Sequence, residues 1–474
     1  MDHTETLPHD VLAGVLGRLS PRDLAVSRCV RRAWCAIVDR RRLLLLRAED
    51  LPHSVEGIYA NYSGHERPQF LGRPSTQHPG VDYGNLHFLP HYTDGYMKIA
   101  DHCNGLLLYG DTREFCVVNP ATRRWERLPR MSDHVQFCTA YLAFDPTISP
   151  HYQVFLIQSK DLGLFDLTDC KQAEVPPEQL VEKNFTLSSS SLSKIPWSTE
   201  VPQHSVEWPT PLLTLEVFSS STGLWQERSF AREGNATTRA VNVRGRMWIM
   251  MSGGLHGPRW RYSVYYHGAL YVLHCRGAFV TRLSSSDGKY QAIKTPIDVK
   301  ESKAGQSYLG RLGKDVYYAN VHDQIRIWTL SGSSGQVDWV AKNSIGLEPL
   351  ANIASVRPKG IFRPWILDDD RFLDEYGNNV NLAWKDFDWD SDDEDNILDT
   401  SNESGHQRGY FQLIGFHPYK EVIFFLSNHF EALAYDLDSS KVHYIGYLRP
   451  QCDSWTLLVD EAFLYTPCMI GDLT

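Results

Sequence analysis

Hydrophobic residues follow two different periods along this chain, one near the start and another over most of its length. Over residues 7–46 they recur three or four positions apart, the spacing of one face of an α-helix. From about residue 98 they alternate with polar residues or form short β-branched runs, as in 152–157 and 421–426. The pattern predicts a small all-α segment followed by a large all-β domain.

Three short helices are predicted in the first segment. Ser20 supplies an N-cap and Pro21 suits the first position of the second helix. Because about 40 residues in three short helices bury little core, the segment is expected to need a partner. We expect apolar side chains such as Leu7, Leu12 and Leu16 to be exposed and to contact that partner, which would be helical.

A short motif recurs in the β-rich part of the chain. A small polar residue is followed by a polar residue three positions later and by a large aromatic residue six positions later. The five copies are Asn119, Thr122 and Trp125; Ser219, Thr222 and Trp225; Ser284, Asp287 and Tyr290; Ser333, Gln336 and Trp339; and Asp438, Lys441 and Tyr444. This motif predicts β-hairpins whose aromatic side chains pack between neighbouring sheets. The copies at Ser284 and Ser333 are about 49 residues apart, near the kelch-blade period. Without two inserted loops the β-rich part has roughly 280 residues, enough for about six propeller-like blades at that period.

Shifts in composition divide the chain into parts. The predicted parts are a helical domain at 1–48, a linker and connecting segment at 49–97, and a propeller-like β domain at 98–474 with inserted loops near 160–211 and 368–407. We expect the helices and the β domain to be separable within the linker. A chain beginning near Tyr83 should then keep the fold of the large domain.

Composition and charge exclude several classes of protein. The 474 residues carry a net charge of -10 and include nine scattered cysteines with no Cys-x-x-Cys pair. An acidic chain argues against a nucleic-acid partner, since phosphate binding needs a basic face. The acidic N-terminus is unlike a signal peptide, and no apolar run is long enough for a membrane helix. We expect an intracellular protein of the cytoplasm, the nucleus or both, with no membrane partner.

Catalytic and metal-binding patterns are not convincing in this sequence. Asp101, His102 and Cys103 place an acid, a base and a thiol side by side, but adjacent strand residues point to opposite faces. The acidic run 386–399 lacks the glycine and glutamate of a calcium loop and is expected to be a solvated loop. We predict no catalytic residue, no metal site and no cofactor.

The N-terminal helices resemble the F-box family. The matching positions are Leu7-Pro8-x-Asp10-Val11-Leu12, Val15-Leu16-x-Arg18-Leu19-Ser20, Asp23-Leu24, Arg28-Cys29-Val30 and Arg32-Ala33-Trp34. One departure is Arg31-Arg32-Ala33, where F-boxes often have a Cys-Lys or Cys-Arg pair before the tryptophan. The resemblance implies binding to a SKP-type adaptor and, through it, to a cullin. The implied adaptor-binding residues are Leu7, Pro8, Val11, Leu12, Val15, Leu16, Leu19, Leu24, Val30 and Trp34.

The β-rich part resembles the F-box-associated domain of plant, especially grass, proteins. The segments that carry the resemblance are 102–108, 118–125, 144–146, 217–220 and 267–271. Together the two resemblances imply the substrate-recognition subunit of an SCF-type ubiquitin ligase, which binds an unidentified target protein for ubiquitination.

Several alternatives stay open from the sequence alone. The F-box could hold a cargo for a purpose other than degradation, and a propeller can also be a glycoside-active enzyme. The helices could be a cap of the larger domain, and their nine arginines within residues 1–47 could instead form a DNA-binding or nuclear-localisation segment.

The acidic run 386–399 provides a first test. Because glycine and the terminal glutamate are missing from the calcium-loop positions, we expect calcium to bind no more tightly than about 1 mM, the weak end of calcium-loop affinities. Calorimetric titration of the protein with calcium measures this. A micromolar signal that disappears when the run is replaced by Gly-Ser residues would contradict the prediction.

Overall fold

The computed structural model describes the greater part of the large domain and most of the N-terminal helices. The described residues are 8–19, 21–41, 43, 55–62, 65, 67–73, 84–90, 97–111, 114–131, 138–158, 207–208, 210–234, 238–239, 262–274, 279–297, 306–332, 337–347, 350, 365–367, 411–427, 430–449, 459–468 and 473. Leu7, the acidic run 386–399, the predicted insertion 368–407 and nearly all of 160–211 lie outside them.

Three short helices share one small core. They are α1 (His9–Leu16), α2 (Pro21–Val30) and α3 (Arg32–Arg40). Pro8 precedes α1 with an extended backbone, and Pro21 takes the first position of α2. The buried core consists of Leu12, Ala13, Leu16, Leu24, Ile37 and Val38.

The expectation that Leu12 and Leu16 are exposed is wrong. Leu16 is only 1% exposed and Leu12 is buried beside it, because both lie on the side of α1 that faces the other helices. The exposed apolar side chains of α1 are Val11 and Val15, one turn apart, and Val30 is exposed at the end of α2. The helical period identified the amphipathic helix, but Val11, Leu12, Val15 and Leu16 form too wide an apolar stripe to show which edge meets α3.

The rest of the described chain consists mainly of β-strands. In chain order they are β1 (Gly57–Tyr62), β2 (Gln69–Gly72), β3 (Lys98–Cys103), β4 (Leu106–Gly110), β5 (Phe115–Asn119), β6 (Arg124–Arg127), β7 (Cys138–Ala143), β8 (Gln153–Gln158), β9 (Glu207–Trp208), β10 (Leu212–Ser219), β11 (Leu224–Arg232), β12 (Thr238–Arg239), β13 (Ser263–Tyr266), β14 (Ala269–His274), β15 (Phe279–Ser284), β16 (Lys289–Lys294), β17 (Gln306–Leu312), β18 (Asp315–Val321), β19 (Gln324–Ser331), β20 (Asp338–Gly346), β21 (Ile366–Leu367), β22 (Phe411–Phe416), β23 (Val422–Ser427), β24 (Glu431–Asp436), β25 (Val442–Tyr447) and β26 (Val459–Tyr465).

These strands form six antiparallel units of four strands each. The units are the first (β3, β4, β5, β6), second (β7, β8, β10, β11), third (β13, β14, β15, β16), fourth (β17, β18, β19, β20), fifth (β22, β23, β24, β25) and closing unit (β26, β1, β2, β21). The second and third units join into one eight-stranded sheet through a two-residue parallel pairing of β11 with β16. The short strands β9 and β12 pair separately.

A hydrophobic cluster fills each of the six interfaces between consecutive units. The clusters join units one and two, two and three, three and four, four and five, five and closing, and closing and one. On β4, Leu106 and Leu108 point into one interface while Leu107 and Tyr109 point into the other. Because both faces of such a strand are covered, its sequence is a continuous run of apolar residues.

The ends of the chain complete this circular order. β26, near the C-terminus, pairs antiparallel with β1, from Gly57 opposite Tyr465 to Ala60 opposite Ala462. The first strands of successive units contact one another, including β22 with β26. Asn61 of β1 then bonds the backbone of Ile99 in both directions, at 2.9 and 3.1 Å, and so links the closing unit to the first. The arrangement is mostly β, as predicted, and propeller-like.

The predicted start of the β domain at residue 98 is wrong. Two strands of the closing unit, β1 and β2, lie within the segment 49–97 that was predicted as a linker. A chain beginning near Tyr83 would therefore lose two of the four strands that close the circle. Gly57–Tyr62 is only six residues long and is buried throughout, so it lacked the alternation that identifies a strand in a sequence.

The repeated motif marks the hairpin between the third and fourth strands of a unit. Trp125, Trp225, Tyr290 and Trp339 pair with Val118, Phe218, Leu283 and Leu330, in each case the residue before the last of the preceding strand. The side chains of Trp225, Tyr290 and Trp339 each pack against the unit that precedes their own. Ser333 and Gln336 lie outside the described residues.

The fifth copy of the motif was predicted two residues too late. Asp436 ends β24 and Val442, opposite Tyr435, holds the position that the aromatic residue has in the other hairpins. Tyr444 lies two positions further along the same strand and so faces the same side. Spacing alone could not separate the two registers.

Trp125 and Trp225 occupy the aromatic position of the motif in two different hairpins, so a comparison of the two tests the role of that position. Trp225 packs on Phe218 and its indole N–H donates to the carbonyl of Pro129 at 2.9 Å, whereas Trp125 is 40% exposed. Trp225→Ala is expected to lower the free energy of unfolding by more than about 2 kcal/mol, and Trp125→Ala by less than about 1 kcal/mol. Guanidinium denaturation of both variants measures this. Equal losses of unfolding free energy in the two variants would contradict the conclusion that Trp225, and not Trp125, packs against the preceding unit.

Candidate functional site

Two surfaces are candidates for function, one on the helices and one in the β domain. On the helices, Val11 and Val15 form a small exposed apolar surface, called here the valine surface. Leu24 belongs to the core, Leu19 and Trp34 pack against it and are half-buried, and Pro8 is exposed. Ten residues were expected to bind an adaptor. The ones that the structure describes fall into two groups, some exposed at the surface and the others in the core beneath it.

The second surface is a cavity of about 480 Å³ in the β domain. The first strand of each of the six units, or the turn that follows it, contributes to its wall. It therefore opens at the end of the ring where these strands finish. A cavity of this volume is within the range of small-ligand sites.

Tight turns shape the rim of this cavity. Asn104 and Gly105, between β3 and β4, have φ of 46° and 84°, which is the type I′ hairpin geometry that Asn-Gly favours. The Asn104 side-chain amide donates to the carbonyl of Phe144 at 2.6 Å. A Cβ on Gly105 would lie 2.5 Å from the carbonyl oxygen of Thr466, so only glycine fits between this turn and the chain after β26. The Cys-Asn-Gly-Leu-Leu motif thus joins the first and closing units.

His102 and Cys103 both line the cavity, so the expectation that these adjacent strand residues face apart is wrong at this end of β3, and Asp101, the acid of the same triplet, holds strands together beside them. Asp101 is buried, and its Oδ2 accepts hydrogen bonds from the Leu142 backbone N–H at 2.8 Å and from the Ser263 hydroxyl at 2.9 Å. One carboxylate oxygen thus links β3 to β7 and β13. These contacts give the carboxylate a structural role.

The base and the thiol of the triplet are poorly suited to nucleophilic chemistry. Removal from water lowers the pKa of His102 to about 4, so its ring is neutral at neutral pH, and it packs edge-on to Phe463 at 5.2 Å. Burial raises the pKa of the Cys103 thiol to about 12, and the thiol donates to the carbonyl of Phe144 at 3.2 Å. A protonated thiol is a weak nucleophile.

Arg311 is the charged group that sequence reasoning missed. It follows Gly310 on β17 and lines the cavity, where its guanidinium lies 4.9 Å from the centre of the Tyr266 ring. Its Nε donates to the carbonyl of Gly313 at 3.0 Å. No local pattern in the segment 310–314 shows that its arginine faces a central cavity.

The described part of the chain has neither a metal-binding cluster nor a membrane-spanning helix. No group of three or more His, Cys, Asp or Glu side chains there is arranged to hold a metal ion. No helix there is long and apolar enough to cross a membrane.

Comparison with known proteins connects the chain to plant F-box proteins. It is 24% identical over 283 residues to F-box protein At5g07610 of Arabidopsis thaliana, covering 56% of this chain and 52% of that protein. It is 26% identical over 171 residues to putative F-box protein At4g38870 (33% and 38% covered) and 24% identical over 154 residues to putative F-box protein At3g10240 (31% and 40% covered), both of Arabidopsis thaliana. No protein-family model matches.

The chain is therefore a relative of plant F-box proteins, which confirms that part of the predicted resemblance. It spans about half the length, or less, of these relatives. Its grass-type and kelch-like character stays a prediction.

Two solved structures are similar over much of the chain but only weakly. The structure of YCF48 bound to D1 peptide is 7% identical, with a TM-score of 0.31, and covers 83% of this chain and 82% of that one. A post-proline cleaving enzyme from Rickettsia typhi is 7% identical, with a TM-score of 0.26, and covers 74% and 33%. Likenesses this distant carry no argument about the fold or the activity.

Asp101 provides the test of this region. Asp101→Ala leaves the buried N–H of Leu142 without an acceptor and removes the contact to Ser263, so it should lower the free energy of unfolding by more than about 2 kcal/mol. Asp315→Ala, on an exposed carboxylate of β18, is the control and should change it by less than about 0.5 kcal/mol. Denaturant titration compares the two. If the Asp101→Ala protein is as stable as the control, the Asp101 carboxylate has no structural role.

Proposed function

We propose that this protein is the substrate-recognition subunit of an SCF-type ubiquitin ligase. The helices dock a SKP-type adaptor, which connects to a cullin, and the β domain binds a target protein. The valine surface carries this proposal: Val11 and Val15 are exposed on helices whose sequence matches the F-box pattern, in a relative of plant F-box proteins. Solvent-exposed apolar side chains one helical turn apart suit a helical partner.

Separate hydrophobic cores support a division into two activities. The core of α1, α2 and α3 contains residues 12–38 only, while the six clusters of the large domain contain none of the helical residues. We infer a helical docking domain within residues 1–48 and a β-propeller of six blades that begins with β1. Each four-stranded unit would be one blade.

The receptor acts by proximity in this proposal. A target held on the β domain brings its lysines close to a ubiquitin-charged conjugating enzyme, which raises their effective concentration near the reactive thioester. No side chain of this chain has to take part in bond making. The neutral His102 and the protonated Cys103 agree with a binding role for the β domain. The assembly would operate in the cytoplasm, the nucleus or both.

Adaptor docking is tested by charging the valine surface. Val15→Asp places a carboxylate where the apolar contact is expected, so capture of a SKP-type adaptor should fall at least about tenfold, because burying an unpaired charge is costly. Val15 is 51% exposed, so the thermal transition should be unchanged. Co-purification of wild-type and variant protein with the adaptor measures the loss.

Val340→Asp is the matched control for this experiment. Val340 is also 51% exposed, but it lies on β20 in the large domain, so its substitution should leave capture intact. Leu16→Asp is unsuitable because Leu16 is a core residue of the helices. If Val15→Asp captures adaptor as well as Val340→Asp does, the docking proposal is wrong.

A further inference from the structure

The guanidinium of Arg311 has hydrogen-bonding capacity to spare at the cavity. Its Nε bonds to Gly313 and one face is covered by Tyr266. No carboxylate among the described residues lies within 4.0 Å of it, and neither Nη group, together carrying four N–H donors, has an acceptor among them. The side chain is half-buried, so the missing acceptor is one that a ligand can supply.

The charges around the cavity favour an anion with a single negative charge. Lys314, exposed at the rim on the same hairpin, adds a second cation. Two carboxylates oppose these cations: Asp145 at the rim and Asp101, which is buried and hydrogen-bonded to backbone and hydroxyl donors. The neutral His102 adds no charge. Because the carboxylate of Asp101 does not line the cavity and is held by hydrogen bonds from Leu142 and Ser263, the two cations exceed Asp145 by one charge at the cavity wall, and we expect a monoanion to balance that excess.

The walls of the cavity are aromatic and aliphatic. Tyr265 and Tyr266 end β13, Tyr308 and Phe416 meet across β17 and β22 with ring centres 5.8 Å apart, and Leu464 lies beside them. Gly310 and Gly415 allow this close approach, because a Cβ on Gly310 would lie 2.4 Å from the Phe416 ring. Such walls bind an apolar body, while one or two charged groups set its orientation.

We propose that this cavity binds a carboxylate attached to an aromatic or branched apolar group, with Arg311 as the carboxylate-binding residue. The planar guanidinium matches a carboxylate, which can accept two parallel N–H bonds. The same chemistry is found at the C-terminal residue of a peptide and in a free organic acid. The inference concerns the β domain and does not depend on adaptor docking by the helices.

Binding is tested on the full chain with N-acetyl-L-phenylalanine by calorimetry and saturation-transfer NMR. The uncharged N-acetyl-L-phenylalaninamide should bind at least about tenfold more weakly, as expected for the loss of charge-assisted hydrogen bonds. Phenyl phosphate should also bind more weakly than the acid. A tetrapeptide, acetyl-Gly-Gly-Gly-Phe with a free C-terminus, distinguishes the sources. Its binding identifies a peptide terminus, and its rejection, with the acid still bound, identifies a free acid.

Arg311→Gln should reduce binding of the acid at least about tenfold and leave adaptor capture unchanged. Arg449→Gln is the matched control, because Arg449 also lies over an aromatic ring, 5.5 Å from that of Phe430, but does not line the cavity. If Arg311→Gln fails to fold, Lys314→Gln on the exposed neighbour should still weaken binding about two- to fivefold. No binding to the wild type, equal binding of acid and amide, or an Arg311→Gln protein that binds like Arg449→Gln would overturn the proposal.

Discussion

The pairing of β1 with β26 is the contact on which the large domain depends. Each unit has two apolar faces, and a row of five units would leave one face exposed at either end. The closing unit covers both exposed faces at once, since it packs against the fifth unit on one side and the first on the other. It combines β1 and β2, the first strands of the large domain, with β26, its last, so both faces are covered only when these strands are together.

Circular closure also creates the cavity. Six inner strands that end around one axis bring together residues as distant in sequence as His102 and Leu464. Most of the resulting surface is aromatic and aliphatic, and Arg311 stands out because its charge is only partly compensated. The Asn104–Gly105 turn shows how closely the parts must fit, since its glycine touches the chain after β26. The same contacts that hold the ring closed therefore define the shape of the cavity.

The helices follow a different principle from the ring. Among the described residues, their small core contains no side chain of the large domain, and Val11 and Val15 are exposed on α1. In the proposed function, a surface substitution on the helices would therefore abolish adaptor binding without disturbing the β domain.

Local sequence determined the elements whose signals lie within a few residues. The period of the apolar residues specified the helices, Pro21 marked the start of α2, and four polar turns with their aromatic partners marked the outer hairpins of successive units, because turn geometry and strand alternation are short-range effects. Only the tertiary structure decided that Leu16 is buried and Val15 exposed, that β1 belongs to the ring, and that Arg311 faces a cavity. These properties depend on which residues far apart in sequence come together. The wide apolar stripe of α1, the short and fully buried β1, and a single arginine in a hairpin contain no local signal of their partners.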